Sequence, residues 1–182
     1  LVLMAAYAGT GRTLGDEIMR RMKNLLGVFI ASVLYFVLVY HLTNLYIAAH
    51  HDVERFILLD GGIYTQLFWI GHILAGCVLP LVLLYSPLGK SRGVIALSSI
   101  LVVLGGLVQM YVIIIGGQAY PLEMFPGMEV SSSFYDGVVA GYRPSLPEFL
   151  LGIGGFALAL GMTAFAIKVL PFLPTSLADS AV

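Results

Sequence analysis

The sequence predicts an all-α membrane protein, a polytopic bundle with four transmembrane helices, and three observations carry the prediction. Hydrophobic residues make up 59% of the 182 and charged residues only 10%, with a mean hydropathy of +0.97. Soluble domains carry charges nearer a quarter of their residues. Four apolar runs approach the roughly 20 residues that cross about 30 Å of hydrocarbon, and none holds an Asp or Glu in its interior. Buried helices of a soluble protein would need amphipathic partners to cover them, and the sequence supplies none.

Taken in order, residues 1–24 are expected to be the end of a preceding segment followed by a basic stretch with Arg12, Arg20, Arg21 and Lys23. The chain opens on Leu1 without the basic start or apolar length of a signal peptide, so it reads as a fragment of a longer subunit. The transmembrane region covers 25–171, with spans at about 25–47, 66–85, 94–116 and 149–170. The second span should kink where the Pro80 ring meets the carbonyl of Gly76. Gly27/Ala31, Gly71/Ala75 and Ala157/Gly161 are small pairs suited to close helix contact. Between the last two spans lies an acidic loop, 117–148, and a cytoplasmic tail follows at 172–182. At the loop's end Ser145 and Glu148 fit a capping box, which satisfies amides that a helix start leaves unpaired.

Basic residues fix the expected orientation. Arg12, Arg20, Arg21, Lys23, Lys90, Arg92 and Lys168 fall on one side, against Arg55 and Arg143 on the other. The positive-inside rule puts the first side in the cytoplasm of a prokaryotic cytoplasmic (inner) membrane. Asp52, Glu54, Asp60, Glu123, Glu129, Asp136 and Glu148 gather on the outer side. Cys77 is the single cysteine, so the chain offers neither a disulfide framework nor a Cys-ligated iron–sulfur cluster or zinc site. The sequence has no hydrolytic triad, phosphate-binding glycine loop or basic aromatic surface; the basic stretch suits the lipid bilayer and not nucleic acid.

Polar residues at membrane depth are functional candidates. His41 and Asn44, three apart, share a helix face, and His72 on the next, antiparallel span is expected at a depth similar to that of His41. Three readings stay open for them. Neutral imidazoles can hold a haem b iron from both sides; a His with Asn44 can hydrogen-bond a quinone and relay its proton; or the histidines tie helices together. Gln109 is expected to face a neighbouring helix, and His50 and His51 to lie in the outer headgroup region without an assigned role. A transporter or a passive anchor is a further alternative, although transporters usually place broken helices or charges near the midplane.

Four stretches then carry a resemblance: "YHLTNLY" at 40–46, "ERFILLDGGIYTQLFWIGHILAGCVLPL" at 54–81, "GGQAYPLEMFPG" at 116–127 and "YRPSLPEFLLGIGGFALALG" at 142–161. The most specific residues are Phe68, Trp69, Gly71, Gly76, Leu79 and Pro80 in the second span and Tyr142, Pro144, Ser145 and Glu148 before the fourth. The chain resembles the C-terminal part of NrfD/polysulfide-reductase-type (PsrC-type) membrane subunits, particularly the branch associated with dissimilatory sulfite reductase (DsrMKJOP-type complexes). The resemblance implies a bundle of about eight to ten helices in the full subunit. It also implies exchange of electrons between menaquinol or menaquinone and a periplasmic-side iron–sulfur, ferredoxin-like subunit, alongside other membrane and cytochrome subunits. Under it, Glu123, Glu129, Asp136 and Arg143 would form the partner's docking surface. Glu54, Asp60 and Glu123 would transfer protons, and the subunit itself would carry no metal; His41, Asn44 and His72 are candidates to meet the quinone by their depth alone, not by a family motif.

Overall fold

The computed structural model describes residues 1–121, 138–171, 173–174 and 176–179. Among these, helices dominate and no strand occurs; one isolated bridge pairs Leu14 with Leu177. The main helices are α1 (Val2–Thr10), α2 (Asp16–Tyr46), the short α3 (His51–Arg55), α4 (Ile63–Tyr85), α5 (Arg92–Ala119) and α6 (Leu146–Val169). Four of them, α2, α4, α5 and α6, are long and apolar enough to cross a membrane. The chain is an integral membrane protein, as its composition predicts. Helices α2, α4 and α5 extend past the apolar runs read from sequence because polar and glycine residues outside the hydrocarbon still propagate backbone hydrogen bonds.

The chain divides into two compact units. One comprises Leu1–Met22 with Arg143–Val182. In it the final residues bind the first ones closely: Arg12 donates to the Leu173 carbonyl at 2.9 Å and Tyr7 to the Pro174 carbonyl at 3.2 Å. The Gly15 amide donates to the Leu177 carbonyl, and the Leu177 amide donates to the Thr13 carbonyl. The Asp179 carboxylate accepts from the backbone amides of Asp16 and Glu17 at 3.3 and 3.0 Å. These are amides that the start of α2 leaves unpaired, so a residue far along the chain serves as that helix's cap. At the start of α6 the Ser145 amide and hydroxyl donate to Glu148 at 2.7 and 2.9 Å, as the capping-box spacing predicts. A side chain added at Gly161 would meet nothing within 4 Å, so the close contact expected at Ala157/Gly161 has no partner among the described residues.

The other unit, Lys23–Tyr142, holds the polar residues of interest. At the basic end of α2, Lys23 sits 5.9 Å from the Tyr85 ring, which places the last turn of α4 beside the start of the α2 span. The 18 residues from Lys23 to His41 cover about 27 Å. Helix α4 packs most extensively against α5. A Cβ at Gly76 would lie 2.6 Å from the Gly105 Cα, so the two backbones touch at this crossing and only glycine fits.

Over Leu67–Val78 the α4 backbone widens to the i→i+5 register, and Leu79 N–H reaches the Leu74 carbonyl. The wider turn gives the Pro80 ring room against the preceding carbonyls, the strain that the sequence places at Gly76 and Pro80. His72 lies within this segment.

The return from α2 to α4 is not an open loop. His51 donates to the Leu45 carbonyl, Trp69 to the Leu58 carbonyl at 2.9 Å, and Thr65 bridges the Gly61 amide and the Phe56 carbonyl. Gly62 turns the chain at φ 57°, a left-handed conformation that favours glycine. Phe56, Ile57, Tyr64, Phe68, Val112 and Ala119 form one buried cluster that pins this return against α4 and α5.

Candidate functional site

That cluster holds α3 in place, and α3 carries Glu54. Its carboxylate is 2% exposed. An unpaired charge there would be costly, so its partners decide what it does. His41 Nδ1 donates to Glu54 Oε2 at 2.6 Å and Asn44 Nδ2 donates to Oε1 at 2.8 Å. The three-residue spacing of His41 and Asn44 puts both on the α2 face that meets α3. His50 Nδ1 extends the series, lying 3.1 Å from Asn44 Oδ1.

The proton positions follow from the chemistry of the groups. With Glu54 ionised, its carboxylate only accepts, so Asn44 turns its NH₂ toward it and its carbonyl toward His50, whose Nδ1 then donates. By the same reasoning His41 carries a proton on Nδ1. His41 Nε2 is buried and has no hydrogen-bond partner among the described residues.

His72 repeats part of this pattern on α4. Its Nδ1 lies 3.1 Å from the Gly105 carbonyl, which can only accept, so Nδ1 bears the proton; Nε2 is buried and has no partner among the described residues. The glycine crossing creates this bond by bringing the α5 backbone against α4. His41 packs edge-on against Phe68 with ring centroids 4.8 Å apart, and Phe68 is 6.3 Å from His72. Phe68 is the residue opposite His41, and His72 is a turn further into the helix. The two histidines thus flank one ring, Phe68, on consecutive helices.

The same packing bears on haem. Bis-histidine ligation needs a flat gap between two facing imidazoles, whereas here the Phe68 ring packs against both. The residues do not fit that group. Among the described residues no cluster of three or more potential metal ligands occurs.

The remaining sequence-predicted residues are dispersed. Glu54, read as an outer-loop carboxylate, is buried in the site, a correction whose cause is the aromatic cluster following it. Asp60 is not in the site; it pairs with Arg55 at 2.8 Å, both side chains mostly exposed. Arg143 is exposed and belongs to the other unit. Glu123, Glu129 and Asp136 lie outside the described residues. His50, given no role from sequence, joins the hydrogen-bond series; its nearness to Asn44, six residues away, was the available signal.

Comparison with known proteins places these residues in a family. The chain is 26% identical over 176 residues to an Hdr-like menaquinol oxidoreductase integral membrane subunit of Archaeoglobus fulgidus, covering 94% of this chain and 44% of that protein. It is 25% identical over 171 residues to a selenate reductase subunit of Mesobacillus selenatarsenatis, covering 94% of this chain and 39% of that one. The chain thus spans less than half the length of these relatives. No solved structure matches it. A family model described as Polysulphide reductase, NrfD matches residues 1–121, and the chain belongs to that family.

Proposed function

We propose that this chain is the membrane-embedded part of a quinone-reactive subunit of a respiratory oxidoreductase, with His41, Glu54 and Asn44 handling the quinol proton. The observation that carries the reading is the buried His41–Glu54 pair with His41 Nε2 left over. A quinol hydroxyl can donate to Nε2 while Nδ1–H stays on Glu54. The imidazolium so formed is stabilised by the adjacent carboxylate in a region where an isolated charge is costly. Two electrons leave the quinol as its two hydroxyl protons are removed in turn through His41 Nε2, which releases the first proton to outer-face water before taking the second, and the electrons pass to an outer-face iron–sulfur subunit of the complex. His72 Nε2, a turn along α4 from Phe68, is proposed as a second polar contact for the ring system.

Family membership and a relative named for menaquinol oxidation support menaquinol as the substrate. The motif resemblance favours an acceptor in sulfur or sulfite metabolism and a prokaryotic cytoplasmic membrane, with the basic ends of the spans inward. The acidic residues of the 117–148 segment are proposed as part of the partner's landing surface.

The test is His41→Gln in the full-length subunit within its complex. Quinol oxidation should fall by about 10²-fold or more with the complex still assembled. An unchanged rate would remove His41 from the reaction.

A further inference from the structure

The series His50, Asn44, Glu54, His41 begins at an exposed side chain and ends at a buried one. Asn44, which joins His50 to Glu54, has two possible amide orientations. With its NH₂ toward Glu54, Asn44 gives the carboxylate a second donor beside His41 Nδ1–H, and two donors favour the ionised form. With the amide reversed, Oδ1 would face Glu54 Oε1, and that contact is favourable only if Glu54 carries a proton and donates. The amide direction and the Glu54 protonation state are therefore linked.

His50 is the contact that selects between them: protonated on Nδ1 it donates to Asn44 Oδ1 and favours the first orientation, whereas the Nε2–H tautomer would accept from the reversed amide. The charged neighbours in sequence are not in the series: Arg55 is engaged with Asp60, and Asp52 is exposed.

We propose that His50 is a positioning residue which, by fixing the Asn44 amide, holds Glu54 ionised and so keeps His41 Nε2 a competent proton acceptor. The linkage deepens the quinol-site reading and rests on it for its consequence to turnover, but the amide–carboxylate coupling stands on the hydrogen bonds alone. The ligand class it serves is a hydroxyl-bearing proton donor such as a hydroquinone.

Infrared spectroscopy of the full-length complex at neutral pH tests it. A protonated buried carboxylic acid has a C=O stretch separate from the carboxylate bands, and loss of the feature in Glu54→Gln assigns it to Glu54. Wild type should show little of this band. His50→Ala should raise it several-fold, and His50→Gln, which retains an N–H donor, should return it toward the wild-type level. Because His50 is exposed, neither substitution disturbs the packed core. An identical Glu54 band in wild type and His50→Ala would overturn the proposal, as would failure of His50→Gln to restore what His50→Ala changes. The spectrum is read without turnover, so a failure of the quinol reading, seen as His41 variants that oxidise quinol normally, is distinguishable from a failure of the His50 role.

Discussion

Glu54 and His41 meet at 2.6 Å although 13 residues separate them and neither lies near the middle of a span. The contact forms because α3 folds back beneath the aromatic cluster of Phe56, Tyr64 and Tyr120, in which the Phe56–Tyr64 and Phe56–Tyr120 ring centroids lie 5.8 and 5.4 Å apart. Packing of this kind is worth about 0.5–1.5 kcal/mol per pair beyond area burial. It helps to hold a carboxylate where water would otherwise draw it out.

Replacing Glu54 leaves the neutral His41 Nδ1–H and the Asn44 NH₂ without their acceptor. Glu54→Leu is expected to destabilise the subunit by about 1–3 kcal/mol, whereas Glu54→Gln, which keeps an acceptor oxygen for one of the two donors, should cost less. Thermal unfolding of the detergent-solubilised complex ranks the two.

The Gly76–Gly105 crossing gives a second expectation. Gly76→Ala places a methyl 2.6 Å from the Gly105 Cα, backbone that cannot yield like a flexible side chain. A loss of about 1–3 kcal/mol is expected, together with loss of the His72–Gly105 bond. His72→Leu, which fills the site but removes the donor, should cost only about 0.6–2 kcal/mol. Comparing the thermal midpoints of the two variants separates backbone contact from the hydrogen bond.

Asp60→Asn should change little. Its pair with Arg55 is largely exposed, and such pairs contribute about 0–1 kcal/mol. Quinol oxidation by this variant should match wild type, because Asp60 is not among the groups that contact His41 or Glu54.

At the chain's other end, Asp179→Ala removes the acceptor for the Asp16 and Glu17 amides. Loss of a cap costs about 1 kcal/mol. Asp179→Asn, which keeps a side-chain oxygen, should recover most of it, and hydrogen exchange at the first turn of α2 reports the difference directly.

The spans are legible in the sequence because apolar length is set by bilayer thickness, and Ser145 with Glu148 because a capping box is local. His41 and Asn44 are also legible, since three-residue spacing alone puts them on one face. Contact between segments is not. Glu54 reads as a loop acid because 47–62 is too short and too charged to span; only the apolar Phe56, Ile57 and Tyr64 that follow it hint at burial. Gly105 carries no signal until Gly76 is known to face it. Asp179 caps a helix that starts more than 160 residues earlier, a pairing no local pattern encodes.

The most direct measurement is a double-mutant cycle on quinol oxidation by the assembled complex, using His41→Gln, Glu54→Gln and the double variant. Residues that act as one unit are strongly non-additive. The expected result is a loss of about 10²-fold or more in each single variant, with the double variant scarcely slower than the slower single one. Additive losses would mean that the two residues act separately, and wild-type rates in either single variant would contradict a proton-accepting His41–Glu54 pair.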